Sequence, residues 1–137
     1  MTYLAILISF LFAPQGESYI CEPEHAVGFQ HEQDYEGAIF RADVETYIIR
    51  PARDDDSLPQ WVPTELGSHR LIAIGRERPI HSCNDFGTYI ECGAMYARFR
   101  LEKNNLQFVM LNLWPVIQPD TEIDLDAYVL HGHCAQL

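Results

Sequence analysis

Residues 95–111 read MYARFRLEKNNLQFVML, and this stretch decides the fold class. Apolar side chains stand at every second position from Met95 to Leu101, which is the period of a strand with one buried and one wet face. The segment KNN at 103–105 predicts a tight turn, because asparagine tolerates a left-handed backbone. Apolar residues resume at 106–111, so the stretch predicts an antiparallel hairpin.

Short strands are predicted on both sides of this hairpin, and helical periodicity is weak after residue 18. The exception is CEPEHAVGF at 21–29, which predicts one short helical turn, because Pro23 suits a first helical position and Gly28 can end the turn. The spacing of the strands predicts an all-β fold, either a small antiparallel barrel or a sandwich. The predicted strands cover residues 19–21, 36–43, 45–50, 71–74, 79–83, 88–92 and 126–131.

Length and composition limit the classes of protein. The 137 residues correspond to one domain. A composition of 47% hydrophobic and 12% aromatic residues is too rich for a disordered chain. The formal charge of -11 argues against a nucleic-acid partner and against docking on anionic lipid, since both require clustered Lys and Arg.

The first eighteen residues have the pattern of an export leader. Residues 4–12 read LAILISFLF, and nine such residues make a helix of about 14 Å, too short for a bilayer core. The length suits a secretory signal peptide, and the small residues Gly16 and Ser18 predict cleavage after Ser18. The leader lacks Lys and Arg, so a buried N-terminal strand or helix stays open as the alternative. We predict a signal peptide at 1–18 and one periplasmic or secreted domain at 19–137, without a transmembrane segment in the mature chain.

The four cysteines are an even number behind a predicted leader, which predicts two disulfides. Cys83 and Cys92 flank the turn-rich segment NDFG, so a hairpin there would bring them together. The remaining pair, Cys21 with Cys134, would tie the first strand to the last and contribute on the order of 4 kcal/mol. A zinc site is the rival interpretation, but it needs paired C-x2-C spacing, which the sequence lacks.

A set of motifs after the leader resembles a family of small exported bacterial proteins with no established function. The matched positions are Cys21, Pro23, Glu24, Ala26, Gly28, Phe29, the YIIRP strand at 47–51, Cys83, Cys92, Phe99, Lys103, Asn104, Asn105, Leu106, Phe108, Gly132 and Cys134. The resemblance covers most of the predicted mature chain and is weakest at 54–63 and 114–126. It implies export and the disulfides, and it implies no activity, ligand or catalytic residue.

The HGHC motif near the C-terminus is the densest cluster of reactive side chains. In a strand, His131 and His133 point to one face, a spacing that can chelate zinc or copper, with His25 or His31 as a third ligand. However, Cys134 is needed for a disulfide, and terminal histidines are commonly only solvated. We predict no metal site and keep His131 and His133 as the candidate ligands if one exists.

Acidic residues are concentrated in two runs, DDD at 54–56 and DTEIDLD at 120–126. The second run would place four carboxylates on one face of a strand, where calcium could relieve their repulsion. Its spacing is not that of an EF-hand. The simpler interpretation is a solvated loop and a solvated strand edge that discourages pairing with other chains.

No catalytic motif stands out. The sequence lacks G-x-S-x-G, a P-loop, the Rossmann glycines and H-E-x-x-H, and DFG at 85–87 predicts a turn because the other kinase segments are missing. We therefore predict no catalytic residue and no cofactor. Trp61, Tyr96, Trp114 and Tyr128 could line a ligand or partner surface, but aromatic residues of a small barrel more commonly fill its core.

Together these features predict an exported bacterial protein that is a non-enzymatic binding or accessory module of the cell envelope. Its partner would be an unknown protein or small ligand, and not a nucleic acid. The alternative is a small secreted hydrolase or a metal-binding protein, and a structural envelope protein is a third possibility. A filled barrel would favour the binding module, whereas a deep pocket with convergent histidine and carboxylate groups would favour the enzyme.

Overall fold

Strands provide all the regular secondary structure in the part of the chain that the structure describes. The structure is a computed structural model that describes residues 16–30, 36–40, 45–58, 67–76, 79–94, 97–113 and 127–137. Its strands are β1 (Tyr19–Gln30), β2 (Glu36–Phe40), β3 (Tyr47–Pro51), β4 (His69–Ala73), β5 (His81–Asp85), β6 (Tyr89–Ala94), β7 (Ala97–Glu102), β8 (Gln107–Asn112) and β9 (Ala127–Gln136). Within these ranges, no helix is long and apolar enough to cross a membrane.

The strands form one antiparallel sheet that closes on itself. One edge of β1 pairs with β3 over residues 19–21 and with β2 over residues 26–30, while its other edge pairs with β9. From β3 to β9, each strand pairs with the next one along the chain. The result is a closed eight-stranded barrel, with β2 extending the sheet beside the second half of β1. The all-β prediction is confirmed, and of the two predicted architectures the protein has the barrel.

The hairpin predicted from residues 95–111 is present as β7 and β8. Phe99 and Leu101 are fully buried. Arg98, before Phe99, and Arg100, between the two, are exposed. The two strands pair residue for residue over their whole length, and β8 alternates between buried and wet positions in the same way. The period of two in the sequence therefore corresponds to an inner and an outer face of the barrel.

The turn of this hairpin differs from the predicted one. Leu106 adopts the left-handed backbone, with a φ of 58°, and the asparagines do not. The Leu106 N–H donates to the Glu102 carbonyl oxygen at 2.9 Å, and the Asn105 side chain accepts from the Gln107 N–H at 3.0 Å. The Leu106 side chain packs against the core. Burial of this side chain offsets the cost of placing an L-residue in the left-handed region.

The helical turn predicted over residues 21–29 is wrong, because β1 runs through the whole segment. The strand accommodates Pro23 by a shift of its register against β9 between Pro23 and His25. Proline has no N–H to donate, and such an irregularity is where a strand tolerates it. Pairing with β9 supplies backbone partners that one isolated helical turn could not, so the tertiary contact overrides the local signal.

Both predicted disulfides are present, Cys21–Cys134 and Cys83–Cys92. Each joins residues that lie directly opposite each other in paired strands, β1 with β9 and β5 with β6. All four cysteines are buried. The last strand continues past its predicted end at His131, and this extension carries Cys134 to Cys21.

The barrel interior is filled by its own side chains. Phe99 stacks on Phe108 with 4.9 Å between ring centroids, and Tyr47 meets these rings edge-on at 6.2 and 6.5 Å. An eight-stranded barrel is just wide enough for side chains to fill it in this way. Around the rings lie the other buried core residues, Tyr19, Cys21, Ala26, Ile49, Leu71, Ala73, Cys83, Ile90, Cys92, Leu101, Met110, Leu130 and Cys134.

We predict that removing the long-range disulfide costs more stability than removing the short one. Cys21 and Cys134 are 113 residues apart, whereas Cys83 and Cys92 are 9 apart. Loop-entropy models then give a loss of about 5 kcal/mol for C21A/C134A and about 2.5 kcal/mol for C83A/C92A. Urea unfolding of the oxidised wild type and of both double variants measures the two losses. Equal losses, or a larger loss for C83A/C92A, would contradict the prediction.

We also predict that His81 makes the protein less stable in mild acid. His81 is 7% exposed, and burial lowers the pKa of its imidazole below the ordinary 6.5. The unfolded chain therefore takes up this proton more readily, and the stabilising contribution is complete above pH 6.5 and falls as the pH drops below it. The slope is at most about 1.4 kcal/mol per pH unit for one such group.

The comparison that tests this is urea unfolding of the wild type and of His81→Gln at pH 7.5 and pH 5. The wild type should lose more of its free energy of unfolding on acidification than the variant does, because the variant lacks the buried imidazole of residue 81. If the two proteins lose equal amounts, His81 is not the group responsible.

Candidate functional site at the seam of the barrel

Three histidines meet on the outside of the seam where β1 pairs with β9. In β9, His131 and His133 alternate with buried residues, so both imidazoles face outward as predicted. His25 of β1 lies directly opposite His131. Of the two residues considered as a third member of this cluster, the structure brings in His25, and His31 lies outside the described residues.

Glu24 joins the histidines because β1 is irregular at this point. The register of β1 against β9 shifts between Pro23 and His25, which leaves Glu24 as the additional residue of a bulge. Its carboxylate contacts the Nδ1 atom of His133. The sequence patterns identified Glu24 only as part of a structural motif, and nothing in its neighbourhood along the chain indicates the contact with His133.

Gly132 allows the two strands to approach closely beside this bulge. A Cβ atom at this position would lie 2.1 Å from the carbonyl oxygen of Glu22 and 2.8 Å from the Phe108 ring. Both distances are too short for a side chain, so the residue between the two β9 histidines has to be glycine. The spacing His-Gly-His thus serves the closure of the barrel as well as the placement of the imidazoles.

The rings of the cluster lie within contact range of one another and of water. The His25 and His131 rings are nearly parallel, with 6.3 Å between centroids, and the His131 and His133 rings are 6.1 Å apart. The side chains of His133 and Glu24 are 50% and 45% exposed. The hydrogen bond with His133 lowers the pKa of Glu24. The cluster offers hydrogen-bond donors and acceptors to solvent or to a partner.

The arrangement does not amount to a metal centre in the described part of the chain. There, no group of three or more His, Cys, Asp or Glu side chains is placed so that it could hold a metal ion. Cys134 is bonded to Cys21 and supplies no thiolate. His131 and His133, the candidate ligands from the sequence, do share a face, but their chemistry here is that of neighbouring imidazoles beside a carboxylate.

Exposed valines lie next to the histidines on the same outer face. Val109 of β8 lies opposite His131, and Val129 of β9 lies opposite Val27 of β1. Their exposed fractions are 43% for Val109, 37% for Val129 and 53% for Val27. We call this surface the seam face and define it as Glu24, His25, Val27, Val109, Val129, His131 and His133.

The DDD run, predicted as a solvated loop, is solvated only in part. Asp54 and Asp55 are exposed, but the Asp56 side chain is only 6% exposed. The Arg50 guanidinium donates to both of its carboxylate oxygens, at 2.6 and 3.0 Å, and the Arg53 N–H donates at 2.8 Å. The hydrogen bond from Arg50 lowers the pKa of Asp56. The third acid of the run therefore holds the loop after β3 against the barrel.

Several other predicted features lie outside the described residues or belong to the core. The acidic run at 120–126 lies outside the described residues, as do Trp61, Tyr96 and Trp114. Tyr128 packs against the core, as predicted for the aromatic residues. The DFG segment at 85–87 forms the predicted turn, in which the Asp85 carboxylate accepts from the Gly87 N–H at 2.9 Å.

Comparison of the chain with protein-family models, with curated proteins and with solved structures found no match. The resemblance to a family of exported proteins therefore stays a prediction from the motifs.

We predict that Asp56→Asn destabilises the protein by about 2–4 kcal/mol, because it leaves the largely buried Arg50 guanidinium without its carboxylate. Asp54→Asn is the matched control, since Asp54 stands in the same run and is exposed. Its effect should stay within about 0.5 kcal/mol. Chemical denaturation at pH 7 measures both changes. A loss below 1 kcal/mol for Asp56→Asn, or equal losses for the two variants, would contradict the assignment of Asp56 as structural.

Proposed function

We propose that the protein is an exported, non-enzymatic binding module of the bacterial cell envelope and that it binds a protein partner through the seam face. The observation that carries this proposal is the filled barrel. The stacked rings of Phe99 and Phe108 and the buried side chains around them occupy the interior. Barrels that bind ligands inside keep that space open, so a partner of this protein is expected to meet its outer surface.

The two disulfides support the export part of the proposal. All four cysteines are paired. Structural disulfides of this kind persist in the periplasm or outside the cell, whereas reducing systems keep cytosolic thiols free. The composition of the leader region and the disulfides thus agree on the same class of compartment.

The composition of the seam face supports its use in binding. Val27, Val109 and Val129 leave apolar surface in water, which is costly unless a partner covers it. Histidine and glutamate side chains surround these valines and can form hydrogen bonds at the edge of a contact. An apolar centre with a polar rim is the usual anatomy of a protein–protein interface.

The partner that we expect is a protein surface with an apolar side chain beside carboxylate groups. The valines would cover the apolar side chain, and imidazole N–H groups of His25, His131 and His133 would donate to the carboxylates. Arg100 lies directly opposite Val109 on the neighbouring strand, where its guanidinium donates to Glu102 at 2.7 Å.

The hydrolase alternative is not favoured by the serine–histidine contact that the structure contains. Ser68 Oγ lies 2.7 Å from His69 Nδ1. His69 is 4% exposed, and its Nε2 donates to the Glu17 carbonyl oxygen at 3.1 Å. A catalytic histidine needs a carboxylate or similar group that stabilises the imidazolium and must face a substrate. This histidine is instead held by a backbone carbonyl within the rim of the barrel.

Two aspartate substitutions test the proposed face. Val27→Asp places a charge in the centre of the seam face, and Ile74→Asp places the same charge at a residue outside it with the same 53% exposure. Wild type and both variants are immobilised, envelope extract is passed over each, and the retained proteins are identified by mass spectrometry. We expect a partner that the wild type and Ile74→Asp retain and that Val27→Asp loses.

The affinity of the identified partner is then measured by titration. Val27→Asp should weaken binding at least tenfold, since burying an unpaired carboxylate opposes the contact, while Ile74→Asp should leave the affinity unchanged. Equal retention by both variants would place the binding surface elsewhere. If no protein is retained by the wild type in a saturable manner, the binding-module proposal fails.

A further inference from the structure

We infer that the leader is removed at or before the Gly16–Glu17 bond, so that the mature protein keeps Glu17 and Ser18. The sequence pattern alone places cleavage after Ser18, but contacts of residues 16–18 make these residues part of the folded barrel. The inference rests on the export part of the proposed function and concerns the processing site, which is independent of the seam face.

The Glu17 side chain binds two residues of the barrel rim. Its carboxylate accepts a hydrogen bond from the Tyr19 hydroxyl and pairs with the Lys103 ammonium group at 3.3 Å. Lys103 also pairs with Asp85 at 2.9 Å, so one ammonium group bridges two carboxylates. The Lys103 side chain is only 19% exposed and Tyr19 is 2% exposed. Glu17 thus supplies an acceptor to two largely buried donors.

The backbone of residues 17 and 18 is also held by the barrel. The Glu17 carbonyl oxygen accepts from His69 Nε2 at 3.1 Å, and His69 is 4% exposed. The Ser18 carbonyl oxygen accepts from the Leu137 N–H at 2.8 Å, which extends the pairing of β1 with the end of β9 by one residue. The backbone is therefore hydrogen-bonded to the barrel at both residues that precede β1.

Cleavage after Ser18 would remove all of these acceptors. The His69 imidazole and the Tyr19 hydroxyl would each lose the partner described above, and a buried donor without an acceptor is unfavourable. Leu137, which is exposed, would lose its strand partner as well. Cleavage there would also create a charged ammonium group on Tyr19, a residue that is 2% exposed and pairs with strands on both sides. A charge at such a position is costly.

Cleavage after Gly16 avoids both problems. Glu17 is exposed, so its new ammonium group would stay in water. Gly16 is a small residue, as the peptidase requires directly before the cleaved bond. The third position before this bond is Pro14, where the usual pattern has a small residue such as alanine. This bond therefore follows the peptidase pattern at one of its two positions. The argument for it is that a mature chain beginning at Glu17 keeps the contacts of residues 17 and 18 and a chain beginning at Tyr19 does not.

The test is to express the full chain in a bacterial host with a secretory pathway and to determine its N-terminus. Intact mass and N-terminal sequencing of the periplasmic protein should give a chain that begins at Glu17, or at a residue between the apolar run 4–12 and Glu17. A chain that begins at Tyr19 overturns the inference and leaves export intact. An unprocessed chain that stays in the cytoplasm overturns both the inference and the export proposal, and an exported but unprocessed chain overturns the inference alone.

Substitutions at the two candidate bonds provide a matched pair that does not depend on folding. Ser18→Leu places a large residue directly before the Ser18–Tyr19 bond and should leave processing unchanged. Gly16→Leu does the same for the Gly16–Glu17 bond and should abolish processing if the wild-type protein begins at Glu17, or leave it unchanged if the wild-type protein begins earlier. If Ser18→Leu prevents removal of the leader, the inference is overturned.

A stability comparison tests the physical basis separately. Refolded, oxidised chains that begin at Glu17 and at Tyr19 are compared by urea unfolding, and the shorter chain should have a folding equilibrium constant at least tenfold smaller. A chain that begins at Glu17 but carries Glu17→Gln should lie between them, since it keeps the backbone acceptors and loses the charge. Equal stability of the two chain lengths would overturn the argument from contacts.

Discussion

The structure depends above all on the pairing of β1 with β9, because this pairing closes the barrel. An open sheet of these strands would expose two rows of unpaired N–H and C=O groups, and closure removes them. The pairing joins the beginning of the domain to its end, so it forms only when every strand between them is in register. The Cys21–Cys134 disulfide lies directly on this seam and holds the two strands together covalently.

The residues that pair β1 with β9 also determine which side chains meet on the outer face of this pairing. Pro23 cannot contribute an N–H to a regular ladder, so β1 bulges, and the bulge turns Glu24 toward His133. On the opposing strand, Gly132 provides the space that the bulge requires. The bulge in β1 that accommodates Pro23 therefore also brings the Glu24 carboxylate to the histidines. The same irregularity serves the closure of the barrel and the candidate site.

Much of the fold could be predicted because its signals are local. The alternation in residues 95–111 is enough to predict the β7–β8 hairpin. The turn residues between Cys83 and Cys92 are likewise enough to predict that these cysteines meet. The signals failed where a distant contact decided the outcome. The predicted helical turn at 21–29 is a strand because β9, about a hundred residues further along the chain, pairs with it. The Asp56 side chain is an exception to this rule, because the residue that holds it, Arg50, is only six positions away. Leu106 takes the left-handed position of the hairpin turn because its side chain reaches the core.

The candidate site was only half predictable for the same reason. His131 and His133 share a face by the period of a strand, but His25 reaches them only through the register of closure, more than a hundred residues along the chain. Packing determines the inner positions of these strands, since they must fill the barrel. It places no such demand on the outer positions, where most substitutions are tolerated. Three imidazoles and three exposed valines on one outer face are therefore not required by the packing of the barrel interior.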